Sequence, residues 1–138
     1  MPRRRGDTEG TTPGTSFLAW QWEGYARFHR DRGNLLIHIV AVPVFVAGCL
    51  SIPAGLALSQ PLVAGAGLAA LVIGLAAQGR GHTRERNPPE PFSGPGQFVA
   101  RILAEQFVSF PRFVVTGGWL ESLHDAPHPQ SGGPGAVD

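Results

Sequence analysis

Between Gly33 and Gly79 the chain carries no Lys, Arg, Asp or Glu, and apolar residues dominate the stretch. Leu35–Leu58 (LLIHIVAVPVFVAGCLSIPAGLAL) is one run, longer than the roughly 20 apolar residues that cross a bilayer as a helix. Ser59, Gln60 and Pro61 form a short turn, and Leu62–Ala77 is a second run, rich in Gly and Ala. The pattern predicts a hairpin of two helices. Pro43 and Pro53 predict kinks in the first, tolerated in lipid where neighbours satisfy the freed carbonyls. The small residues of the second let helices approach closely. A buried pair in a soluble protein is the alternative; the membrane hairpin is the expectation.

The flanks are periodic in a different way. Thr15 or Ser16 can cap a helix running to about Arg32. Phe17, Trp20, Gln21, Gly24 and Phe28 recur on one stripe, with Trp22, Tyr25 and His29 on the next. Aromatics followed by arginines suit a helix lying at a membrane interface; an ordinary amphipathic core helix gives the same spacing. Phe92–Gly96 reads as a loop. A further helix is expected from Gln97 to Phe110, with Arg101 and Glu105 paired at i,i+4. Pro111 should break it, and FVVTGGWL follows as an apolar segment that dips into the interface. Residues 1–15 and 122–138, the latter holding His124 and His128, have little to bury and are expected to be disordered tails. The fold class expected is therefore all-α: one integral membrane helical domain over 16–121, a central transmembrane hairpin with flanking interfacial helices.

A formal net charge of +1 gives no bulk electrostatic case for nucleic acid. The distribution says more. All eleven basic residues are Arg, and Arg27, Arg30 and Arg32 precede the first apolar run while Arg80, Arg84 and Arg86 follow the second. The loop between the runs has none, so both ends are expected on the cytoplasmic side. Arg3–Arg5 imitates the basic start of a signal peptide, but Gly6–Ser16 supplies no apolar run to follow it, so no cleaved signal is expected. Cys49, alone in an apolar run, reads as an unreactive thiol.

Three histidines border the charge-free stretch: His29 before it, His38 just inside, His82 just after. A hairpin returns all three to one end. His38 stands out, because an ionisable side chain within an apolar helix is a functional candidate by default. His82 and Glu85 are three apart and share a face if that segment is helical. Neutral imidazoles with one carboxylate and vacant positions suit a non-haem ferrous oxygenase, and zinc accepts the same donors. Interfacial histidines without a metal are the plainer alternative. No phosphate-binding glycine loop or serine nucleophile elbow is present.

Tyr25-x-x-x-His29, Asn34-x-x-x-His38, Pro43, then Gln78-x-x-Gly81-His82 with Glu85, Asn87 and Pro89, resemble in order and spacing the membrane 2-hydroxy fatty acid dioxygenase family. That family includes a fungal endoplasmic-reticulum enzyme and bacterial members of unknown function. The similarity spans Tyr25 to Trp119. It implies Fe(II)-dependent α-oxidation, in which a long-chain 2-hydroxy fatty acid reacts with dioxygen and loses its carboxyl carbon. It also implies His29, His38, His82 and Glu85 as metal ligands, with Tyr25 and Asn34 fixing imidazole orientation. A bacterial inner-membrane location follows from the same resemblance. The chain departs from the pattern at Glu85, which many relatives place four residues after the histidine, and at Ala41, where Gly is common. In this reading Arg32 and Arg84 attract the substrate carboxylate at headgroup depth. The rival functions are a non-enzymatic membrane protein that binds lipid or a protein partner through a structural histidine cluster, and a zinc-dependent membrane hydrolase. The GAGLAA run can pair helices within one chain or in a homo-oligomer, and the roles of Glu105 and Gln106 stay open.

Overall fold

The computed structural model describes residues 16–126, which are helical apart from turns and loops, with no strand among them. Helix α1 spans Phe17–Glu23, and Ser16 caps it by accepting from the Ala19 amide. A 3-10 turn over Tyr25–Phe28 follows, then α2 at Arg32–Ala57 and α3 at Pro61–His82. Helix α4 covers Pro95–Ala104, a π-helical segment Glu105–Ser109, α5 Phe110–Val115 and α6 Gly118–Asp125. The bounds of the 1–15 tail and most of 122–138, including His128, lie outside the described residues; α6 carries the chain in regular structure through Asp125, with His124 exposed on it.

The single helix expected from Ser16 to Arg32 is three pieces. Gly24 ends α1, and His29 leaves the helical region at φ −132°, so the chain turns before Asp31 caps α2 through the Asn34 amide. Pro111 also behaves differently from expectation. A proline lacks an amide hydrogen and its ring crowds the carbonyl four residues back. The π segment absorbs this: the Phe110 amide donates five residues back to Glu105, and Pro111 then sits in the first turn of α5. The helix widens instead of breaking.

Helices α2 and α3 form the spine. Both are long and apolar enough to cross a membrane. Their mutual contact is made of small residues: Gly48 and Gly55 of α2 and Gly67, Gly74 and Gly81 of α3 are buried, whereas Leu50, Leu56, Leu62, Leu68, Val72 and Ile73 are exposed. A Cβ added at Gly48 would stand 2.6 Å from the Gly67 carbonyl oxygen and 2.7 Å from the Leu71 amide nitrogen, so here glycine is required by the approach of two backbones. The remaining elements gather at the end of the hairpin that holds both the start of α2 and the finish of α3. There Tyr25, Leu35, Val42, Phe110 and Phe113 make the apolar core, and the Trp119 indole N–H donates to the Leu35 carbonyl at 3.0 Å.

Gly48→Ala is expected to destabilise the detergent-solubilised protein by about 1–3 kcal/mol, the usual cost of overpacking. Gly65→Ala, whose added methyl meets open space, should leave the unfolding transition unchanged.

Candidate metal centre

Three imidazoles meet one carboxylate at the crowded end of the hairpin. His29 comes from the turn before α2, His38 from the second turn of α2, His82 from the last residue of α3, and Glu105 from the first residue of the π segment. The Nε2 atoms of His29, His38 and His82 stand 3.3, 3.5 and 3.7 Å from the same Oε1 of Glu105. The ring centroids are 4.8–5.0 Å apart and cross nearly at right angles, so the rings converge edge-on and do not stack. One ligand atom from each of the four residues lies within 4.8 Å of all the others.

The hydrogen bonds of the rings fix which nitrogen faces inward. His29 Nδ1–H donates to the Tyr25 carbonyl at 2.8 Å and His38 Nδ1–H to the Asn34 carbonyl at 3.0 Å. A carbonyl can only accept, so the proton sits on Nδ1 and Nε2 is free to present a lone pair. Tyr25 and Asn34 thus orient the histidines through their main chains, four residues back in both cases. Tyr25 does more: its ring stacks on His29 at 4.1 Å and its hydroxyl donates to Glu105 Oε1 at 3.2 Å. Burial, with the Glu105 charge beside it, holds the Tyr25 hydroxyl well above its ordinary pKa, so it stays a donor.

The Nε2 atoms of His29 and His38 are buried without a hydrogen-bond partner, as is His82 Nδ1. Buried polar atoms are rarely left so. Lone pairs aimed at a carboxylate repel unless a cation stands between them. With metal–ligand bonds of about 2.0–2.2 Å, neighbouring donors in a tetrahedral set are about 3.4 Å apart, close to the three nitrogen-to-oxygen separations at Glu105. The donor set and spacing fit a first-row divalent ion.

Glu85 is elsewhere. Helix α3 ends at His82, so the three-residue spacing does not put Glu85 on the histidine face. Its carboxylate instead lies 3.0–3.1 Å from the Arg30 and Asp31 amides and 2.6 Å from Asn34 Nδ2. It fastens the loop that presents His29. Glu105 takes the position beside the imidazoles that Glu85 was expected to fill, and it does not pair with Arg101. Arg84 is bound to Asp31 at 3.2 Å, and Arg32 lines the same outer cleft, away from the cavity at the histidines.

The π segment explains why two consecutive residues both serve this region. Glu105 faces the histidines while Gln106, fully buried, faces α3. Gln106 and Gln78 exchange two side-chain hydrogen bonds at 2.6 and 3.1 Å. Gln78 is one turn before His82, so this amide pair ties the two ligand-bearing elements together. A cavity of about 460 Å³ opens onto His29, His82 and Glu105, walled by Trp20, Phe92 and Phe98 among others. Sequence reasoning left Glu105 open, because an α-helical register also pairs it with Arg101. The signal available was Pro111, which forbids a regular helix just there. Comparison with protein-family models, curated proteins and solved structures found no match.

Changing Gln78 or Gln106 singly to Leu should cost about 1–3 kcal/mol by stranding the other amide. The double Leu variant should recover much of that, as a double-mutant cycle on thermal unfolding will measure.

Proposed function

We propose that this chain is an integral membrane, Fe(II)-dependent dioxygenase acting on long-chain 2-hydroxy fatty acids, with His29, His38, His82 and Glu105 as metal ligands. The observation that carries the reading is the convergence of three imidazole Nε2 atoms on one buried carboxylate oxygen, two of those nitrogens having no other partner. Such a set can hold a metal ion.

Membrane insertion is supported by the inverted character of the spine. Only 33% of the most apolar window of α2 and 17% of that of α3 is buried, and the residues that are buried are largely small or polar. Leucines facing outward over this length suit lipid better than water. Exposed Phe17, Leu18, Phe98, Val99, Leu103 and Phe107 extend the apolar surface onto the flanking helices, as interfacial elements require. The arginine groups at the histidine end support a cytoplasmic position for that end.

The overall reaction proposed takes a 2-hydroxy acid and dioxygen to the acid one carbon shorter, carbon dioxide and water. Bound ferrous iron would supply dioxygen activation, and four protein donors leave coordination room for substrate and dioxygen. The chain supplies the rest. The Tyr25 and Asn34 carbonyls keep His29 and His38 in the tautomer with Nε2 inward, and Tyr25 O–H holds Glu105 in place. The 460 Å³ cavity beside the ligands lies within the range of small-molecule sites, about 300–1,000 Å³. Its aromatic walls suit the alkyl part of an acyl substrate.

Anaerobically purified protein in detergent is expected to carry close to one iron per chain. The His29, His38, His82 triple Ala variant should lose it, and Glu105→Ala should weaken iron binding about 10-fold or more. Glu85→Gln should keep the iron while lowering thermal stability. The loaded protein should consume oxygen with 2-hydroxy acids. No iron after ferrous reconstitution would overturn the reading. Zinc with no oxygen uptake would favour a membrane hydrolase, since the same donors suit zinc.

A further inference from the structure

The cavity at the histidines has its own cation. Arg101, on α4, lines it together with His29, His82 and Glu105. Its guanidinium lies 4.5 Å over the Phe92 ring and 5.6 Å from the Trp20 ring, and Nη1 donates to the Glu90 carbonyl at 2.8 Å. Among the described residues no carboxylate forms an ion pair with it. Glu105, one helical turn on, is committed to the imidazoles. Glu23 and Glu90, also on the cavity wall, are exposed. The other arginine of the wall, Arg27, is exposed and lies over Phe28. Arg101 is therefore a half-buried guanidinium held in a fixed pose by two aromatic faces and one carbonyl, with donors left over.

We propose that Arg101 is the anion-binding residue of this cavity, and that it takes the carboxylate of a long-chain acid whose first methylenes lie against Trp20, Phe92 and Phe98. The inference deepens the oxygenase reading and rests on it for the identity of the acid. A planar guanidinium binds carboxylate through two parallel hydrogen bonds. Because its rotamer is already fixed, little ordering is needed when the acid arrives. The aromatic walls then favour an alkyl chain over a polar one. Arg32 and Arg84 cannot fill this role from the outer cleft. The cavity is selective for acids over alcohols of the same length.

The test is calorimetric titration of the full chain, as purified in detergent, with 2-hydroxydodecanoate and with 1,2-dodecanediol, which differs only at the carboxylate carbon. Wild type is expected to prefer the acid. Arg101→Gln should weaken acid binding about 10- to 100-fold, the range for a lost charge-assisted hydrogen bond, and leave diol binding and iron content unchanged. Arg101→Lys, which keeps charge without the planar fork, should fall between. Arg84→Gln should bind both ligands as wild type does. Undiminished acid preference in Arg101→Gln, or in Arg101→Lys should the Gln variant fail to fold, would overturn the proposal. So would a wild-type protein that does not distinguish acid from diol. Iron-free wild type whose acid preference depends on Arg101 would sink the oxygenase and leave this site standing; iron-loaded protein indifferent to Arg101 would do the reverse.

Discussion

Everything at the functional end hangs on how closely α2 and α3 approach. Backbone meets backbone where Gly48 faces Gly67 and Leu71, and at Gly81 the missing methyl makes room for the Asn34 side chain. That second contact lies beside His82 and one turn from His38. The distance between these two imidazoles thus depends on glycines that let the helices come close. Lipid offers no hydrophobic drive for helices to associate, so close van der Waals contact is what holds such a pair.

Upon that spine the other ligands are fastened by polar contacts that would be costly to leave open. Glu85 gathers the Arg30 and Asp31 amides and Asn34 Nδ2, which fixes the turn carrying His29. The Gln78–Gln106 pair fixes the π segment carrying Glu105. Both groups touch a ligand-bearing element without touching the ligand atoms. In a region where buried unpaired groups are expensive, they define one geometry. Of the five buried side-chain atoms left without a partner among the described residues, three are imidazole nitrogens of the centre.

The π segment shows how a local constraint becomes a functional one. Pro111 cannot donate to a carbonyl four residues back, and the wider turn that accommodates it presents Glu105 and Gln106 to different neighbours. Segments of this kind recur at functional sites because they change which residues face inward. Here the change frees Glu105 from Arg101, and so frees Arg101 for the cavity.

The two apolar helices, their turn at Ser59–Pro61 and the return of His29, His38 and His82 to one end are legible in the sequence. They follow from run length and from the place of each histidine relative to the charge-free stretch. The i,i+4 spacing of Tyr25 to His29 and Asn34 to His38 is legible too, although the main chain, not the side chain, does the orienting. What the sequence left open is which acid meets the histidines. That depends on α3 ending at His82, which turns Glu85 toward the Arg30–Asn34 loop, and on a π turn rotating Glu105 into the site. Glu85 is held by hydrogen bonds to residues more than fifty positions earlier, of which linear spacing carries no trace; the π turn has a local sign in Pro111, which does not say which neighbours Glu105 and Gln106 then meet. Arg32 and Arg84 looked like anchors because arginines cluster there; only the folded chain puts Arg101, alone in its stretch, in a cavity with His29, His82 and Glu105.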